Sequence, residues 1–217
     1  MNNIVDIIFR VLNGAGASSI IFFSTIIFSL PLGLLITFAK MSKIKVISYF
    51  ASFLISILRG TPLMLQLFMW YYGPYYLFHV SFGLKWRLPA IIIGFSINYA
   101  AYFAEIFRSG IESIPVGQYE ASSVLGYTNV QTFTKIIFPQ MVKRVIPPVT
   151  NEIITLVKDT SLAFAITYTE MFTVAKQIAA SKTTIIPLLV AGIFYYIFND
   201  IVAFVMSKIE KSFNYYK

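Results

Sequence analysis

Residues 17–39 read ASSIIFFSTIIFSLPLGLLITFA, an unbroken apolar run without a single charged side chain. A helix that crosses the hydrocarbon core of a bilayer needs roughly 20 mostly apolar residues, and this run supplies them. Four further blocks of similar length follow at 46–71, 88–107, 145–168 and 184–206. The expected fold is therefore an all-α integral membrane protein with about five transmembrane helices. Two blocks carry charge: Arg59 in the second, and Glu152, Lys158 and Asp159 in the fourth, which makes the fourth the weakest span on hydropathy alone. Ahead of the first block, Asp6 and Arg10 stand where a removable signal peptide would need a short apolar core and a small-residue cleavage site. The first block is expected to be a retained span.

Composition agrees with this setting. The 217 residues are 58% hydrophobic and only 12% charged, with a mean hydropathy of +0.75. A soluble domain carries about 25% charged residues, and so few cannot coat a soluble globule. The absence of cysteine and the single histidine, His79, exclude disulfides and cysteine nucleophiles and argue against a metal centre or a histidine-based acid–base site. A net charge of +8 raises nucleic acid as a partner, but the Lys and Arg residues fall between apolar blocks and form no basic run beside exposed aromatics. No nucleic-acid partner is expected.

Basic residues concentrate on the cytoplasmic side of membrane proteins. With the N-terminus outside, Lys40, Lys43, Lys45, Arg108, Lys135, Lys143, Arg144, Lys208, Lys211 and Lys217 lie inside, against Arg10, Lys85, Arg87, Lys176 and Lys182 outside. The expected orientation is N-out, C-in, with Tyr71, Tyr72, Tyr75, Tyr76 and Trp86 as outer aromatic anchors. One long inner segment, about residues 108–144, then separates the third and fourth spans. Ser113 as an N-cap and Pro115 near the first turn predict a short helix from Val116 to Leu125, closed by Gly126 at a position that often needs positive φ. Thr128 and Asn129 can cap a second helix running to Phe138 and stopped by Pro139. On physics alone such a helix pair either rests on the bilayer surface or docks a partner.

The residues of this segment carry a resemblance. EASSVLG (120–126), nine further residues and IIFP (136–139) resemble the EAA signature of ABC importer permeases, with Ser122 in place of the second alanine and Phe138 in place of leucine. RSGIESIPVGQYE (108–120), RGTPLMLQ (59–66) and KDTSL (158–162) are similar to the polar amino acid (histidine, glutamine, arginine) uptake branch. The resemblance implies a type I importer permease fold, with residues 1–217 as a single transmembrane permease domain in a bacterial cytoplasmic membrane. It implies a coupling helix in which Gln118, Glu120, Ala121, Ser122 and Gly126 meet a cytoplasmic ATPase. It further implies two permease subunits, identical or related, two ATPases and an extracytoplasmic amino acid binding protein. The chain has no Gly-x-x-x-x-Gly-Lys-Ser/Thr phosphate loop of its own. The expectation is a transport subunit rather than an enzyme, with no cofactor bound by this chain and with ATP and Mg on the partner.

Charges inside spans usually face a cavity or a partner. Arg59 falls near mid-membrane, and Asp159 lies slightly beyond it toward the outside. Gly60-Thr-Pro62 interrupts the second block directly after Arg59, because proline lacks an N–H and clashes with the preceding turn. Broken helices at the midplane are where transporters bind substrate. The expected site holds a zwitterion: Arg59, or N–H groups freed at the break, for the carboxylate, and Asp159 for the ammonium. Thr61, Gln66, Asn98, Thr160 and Ser161 add neutral hydrogen bonds, and Glu170 reads a side chain or serves an outer gate. Mutual neutralisation of Arg59 and Asp159, or pairing with Glu152 or Lys158, is the competing reading. At the level of function, the alternative to an ATP-driven importer is a channel or ion-coupled secondary transporter subunit.

Overall fold

A computed structural model describes residues 4–213, and every regular element among them is helical. Lys217, counted above among the inner basic residues, lies outside the described residues. Three helices are each long and apolar enough to cross a membrane: α1 (Ile4–Lys40), α4 (Arg87–Glu112) and α9 (Ile186–Phe213). α1 starts well ahead of the expected block, running unbroken through Gly14, Gly16 and Pro31. Phe23, Ile27 and Leu35 on α1 and Ile193, Tyr196 and Phe204 on α9 stand exposed. Water would penalise such an apolar surface and lipid tails accept it.

The second block is not one straight span. It is a pair, α2 (Lys45–Gly60) and α3 (Leu63–Phe78), bent by 108° at Thr61 and Pro62. Both hinge residues are extended, with φ/ψ of −117°/145° and −61°/132°. Pro62 cannot donate to the turn before it, so the last carbonyls of α2 lose their helical donors and the chain changes direction.

The inner segment also differs from expectation in detail. α5 (Val116–Val124) forms as expected, but Ser113 does not cap it; its hydroxyl bonds the Gly110 carbonyl instead, and Pro115 occupies the cap position. Gly126 takes φ +77°, a conformation a side chain resists. Thr128 and Gln131 form a reciprocal capping box at α6 (Asn129–Thr132). Pro139 does not stop the helix that follows. α6 passes through a π turn at Phe133–Ile137 into α7 (Phe138–Asp159), with Pro139 in its first turn and Pro147 and Pro148 inside it. The wider turn ahead of Pro139 absorbs the missing N–H. The fourth block thus begins earlier than expected and ends in a 3-10 stretch, Thr160–Ile166. A short helix, α8 (Met171–Lys182), precedes α9.

α1 packs along α4, where Thr37 donates to the carbonyls of Gly33 at 2.8 Å and Ala104 at 3.0 Å. The main core contains Phe95, Phe103, Leu67, Ile91, Leu156 and Ile166, all fully buried. It fixes α3, α4, α7 and the 3-10 stretch against one another and so positions everything that follows.

Candidate functional site

The bend between α2 and α3 opens a cavity of about 570 Å³ against α4 and α7. Arg59, Gly60, Thr61 and Pro62 form one wall; Asn98, Tyr99 and Tyr102 come from α4, and Glu152, Thr155 and Asp159 from α7. The Arg59 guanidinium sits over the Tyr102 ring, 5.1 Å from its centroid, a distance at which the ring face attracts a cation. On the far side the Tyr99 hydroxyl donates to Asp159 Oδ2 at 2.7 Å. Among the described residues Arg59, Glu152, Lys158 and Asp159 make no ion pair. None of them is locked in a direct ion pair, while Arg59 and Glu152, of opposite sign, line the same cavity. The first turn of α3 also starts at this wall, which adds the positive end of its dipole.

Four of the eight residues singled out for substrate thus face one cavity: Arg59, Thr61, Asn98 and Asp159. The other four have different surroundings. Gln66 is buried and clamps the bend: its Nε2 donates to Leu58 O at 2.9 Å, Thr61 O at 3.2 Å and Thr61 Oγ1 at 2.9 Å. Asn98 completes the clamp, donating through Nδ2 to Leu58 O and to Gln66 Oε1, both at 3.1 Å. Both amides donate to the Leu58 carbonyl, whose helical donor Pro62 takes away. Thr160 is buried and bonds Val157 O, while Ser161 bonds Lys158 O; each hydroxyl closes its own helical turn and lies outside the cavity wall.

Glu170 is fully buried and caps α8. Its carboxylate accepts from the backbone of Phe172 at 2.7 Å and of Thr173 at 2.6 Å, from the Thr173 hydroxyl at 2.8 Å and from Tyr195 at 3.0 Å. Ser18 donates to it from α1 at 3.5 Å. The acid pins α1, α8 and α9 together and is not among the residues lining the cavity. Conversely, Tyr99, Tyr102 and Thr155 line the cavity without having been singled out. Extending the helical face of Asn98 by four residues, and that of Asp159 back by four, would have found Tyr102 and Thr155.

On the inner segment, Gln118, Glu120 and Ala121 are exposed on α5. Ser122 is not: it is 1% exposed, donating to Tyr119 O and accepting from Thr132. It locks α5 to α6 rather than offering a small outward surface. Val124 at 88% and Leu125 at 73% exposure leave an apolar tip beside the Gly126 corner.

The profile of the family described as "Binding-protein-dependent transport system inner membrane component" matches residues 29–215. The L-cystine transport system permease protein TcyB of Bacillus subtilis is 36% identical over 192 residues, covering 88% of this chain and 80% of that protein. The arginine transport system permease protein ArtQ of the same organism is 34% identical over 186 residues, covering 85% and 84%. Among solved structures, an amino acid ABC transporter with histidines superposes with a TM-score of 0.84 at 28% identity over 94% of each chain. The inward-facing MetNI methionine ABC transporter shares the fold, with a TM-score of 0.71 at 20% identity.

Proposed function

The chain belongs to the family of binding-protein-dependent transport system inner membrane components, and on that premise we propose that it carries a polar amino acid into the cytoplasm. It is a multi-pass ABC transporter permease. In this reading it works with an extracytoplasmic binding protein, a second permease subunit and an ATPase pair that holds the ATP and Mg. The N-terminus faces out and the C-terminus faces the cytoplasm, in a bacterial cytoplasmic membrane.

The observation that carries the reading is the unpaired charge of both signs around one mid-chain cavity. A free amino acid presents a carboxylate and an ammonium. Arg59 and the start of α3 suit the first, and Asp159 with Glu152 suits the second. Because neither Arg59 nor Asp159 is held in a direct ion pair among the described residues, each is free to meet a charged group of the substrate. Thr61 and Asn98 add neutral contacts. The names of the relatives, cystine and arginine permeases among them, support an amino acid as cargo.

Motion driven by ATP hydrolysis on the partner enters through the exposed face of α5. Gln118, Glu120 and Ala121 contact the ATPase, Ser122 holds the helix pair rigid, and Gly126 fixes the corner. A rigid corner passes ATPase motion to α7 instead of absorbing it.

Uptake by the reconstituted complex tests the site. Arg59→Gln and Asp159→Asn are each expected to raise the half-saturating amino acid concentration about tenfold or more, the loss of a charge-assisted hydrogen bond. If both variants assembled normally and kept the wild-type value, the zwitterion site would be wrong. Co-purification of a vanadate-sensitive ATPase separates an importer from an ion-driven carrier.

A further inference from the structure

A second cavity, of about 620 Å³, lies between the same two helices, α4 and α7, one turn beyond the first. On α4, Asn98 and Tyr102 line the first cavity and Glu105 and Ser109 the second. Their spacing of four, three and four residues puts all of them on one helical face. On α7, Asp159, Thr155 and Glu152 line the first cavity and Pro148 and Arg144 the second, again at steps of three or four. At 1.5 Å per residue the shared face extends about 16 Å along α4 and about 22 Å along α7. That distance takes a solute from mid-membrane to one surface of a core about 30 Å thick.

The second cavity is chemically equipped as well. Arg144 donates one N–H to the Ser113 carbonyl and makes no ion pair among the described residues. A guanidinium has five N–H donors, so a bidentate edge is left for a carboxylate. Arg108, by contrast, is committed to Glu105 and Glu112, and Glu105 also holds Lys40. Pro148 has no N–H, which deprives the Arg144 carbonyl of its regular helical donor at the cavity wall. That carbonyl and the Ser109 hydroxyl are acceptors for an ammonium.

We propose that this cavity is a second, release-side station for the transported amino acid, with Arg144 holding its carboxylate before it leaves for the cytoplasm. The inference rests on the permease reading above. A station on the release side fills as product accumulates, so it makes import sensitive to the internal amino acid concentration.

The test is uptake of radiolabelled L-arginine, L-glutamine and L-cystine by the complete complex in vesicles preloaded with rising amounts of the same amino acid. The wild type is expected to slow as the internal concentration rises. The quantity read is the internal concentration for half-inhibition divided by the external half-saturating concentration. In Arg144→Gln this ratio is expected to rise about tenfold or more, and in Arg144→Lys, which keeps the charge, to stay within about threefold. Ser109→Leu fills the cavity without touching the ion pairs and is expected to act like Arg144→Gln; it decides the matter if the arginine variant fails to assemble. Uptake without internal inhibition, or inhibition unchanged in both Arg144→Gln and Ser109→Leu, overturns the station alone. Absence of uptake of all three amino acids by the assembled wild-type complex overturns the proposed polar amino acid cargo together with it.

Discussion

The Tyr99 hydroxyl donates to Asp159 Oδ2 at 2.7 Å, tying the middle of α4 to the end of α7 across the cavity. The ring itself is 2% exposed and stacks parallel to Phe95 with centroids 6.4 Å apart. Tyr99→Phe therefore keeps the packing and removes only the donor. The carboxylate then loses the group that fixes its direction, at a cost of about 1.5–3 kcal/mol for a hydrogen bond to a charged partner. Part of that cost appears as weaker substrate binding, because Asp159 is the ammonium partner. The expected result is a half-saturating concentration for uptake about three- to tenfold higher, smaller than for Asp159→Asn. Equal effects in the two variants would mean that Asp159 acts through Tyr99 alone and does not touch substrate.

Gln66 serves the bend rather than the cargo. Its amide donates to the carbonyl of Leu58, which Pro62 leaves without a helical donor, and to the carbonyl of Thr61 in the extended hinge. Gln66→Leu has similar volume but no donor; the Leu58 carbonyl keeps Asn98 Nδ2, so each hydrogen bond lost costs about 0.5–1.5 kcal/mol. The purified complex is expected to melt at a lower temperature while the order in which competing amino acids inhibit uptake stays the same. Asn98 shares the Leu58 carbonyl and the Gln66 side-chain oxygen, so Asn98→Leu and Gln66→Leu are expected to be non-additive in a double-mutant cycle. A changed substrate preference in Gln66→Leu would return that residue to the binding site.

Both predictions bear on what was legible in the sequence. Hydropathy located α1, α4 and α9 because a lipid-facing helix is read from composition alone, and spacing located the α5–α6 corner because Gly126 and the Thr128 cap act locally. Pro62 announced an interruption. The 108° turn that follows depends on Gln66 and Asn98 reaching back from elsewhere, which no local pattern encodes. Glu170 misled for the opposite reason. An acid at the end of a span suggests a gate, whereas its partners Ser18 and Tyr195 lie 152 and 25 residues away in the chain. Pro139 misled because a proline in the first turn of a helix costs little, and the π turn before it lets one helix run on into the next. Charge positions were legible; who pairs with whom was not.

The exposed tip of the inner segment gives the last prediction. Val124 is 88% exposed, and Leu125 beside it is 73% exposed. Neither side chain belongs to a buried cluster, so replacing either costs the permease little packing. A partner that covers this tip would bury an apolar side chain worth about 1.5–3 kcal/mol. Val124→Asp replaces that gain with the cost of burying a carboxylate. The permease is expected to insert and melt as the wild type does, while the ATPase no longer co-purifies with it and amino-acid-stimulated ATP hydrolysis is lost. Val124→Ala, which removes area without adding charge, is expected to weaken co-purification only partly. Full retention of the ATPase by Val124→Asp would place the docking surface elsewhere, on the Gln118 and Glu120 positions of α5 without the tip. Val124 lies at the end of α5, about 9 Å along the axis from Gln118, so a parallel Gln118→Ala variant separates the two surfaces.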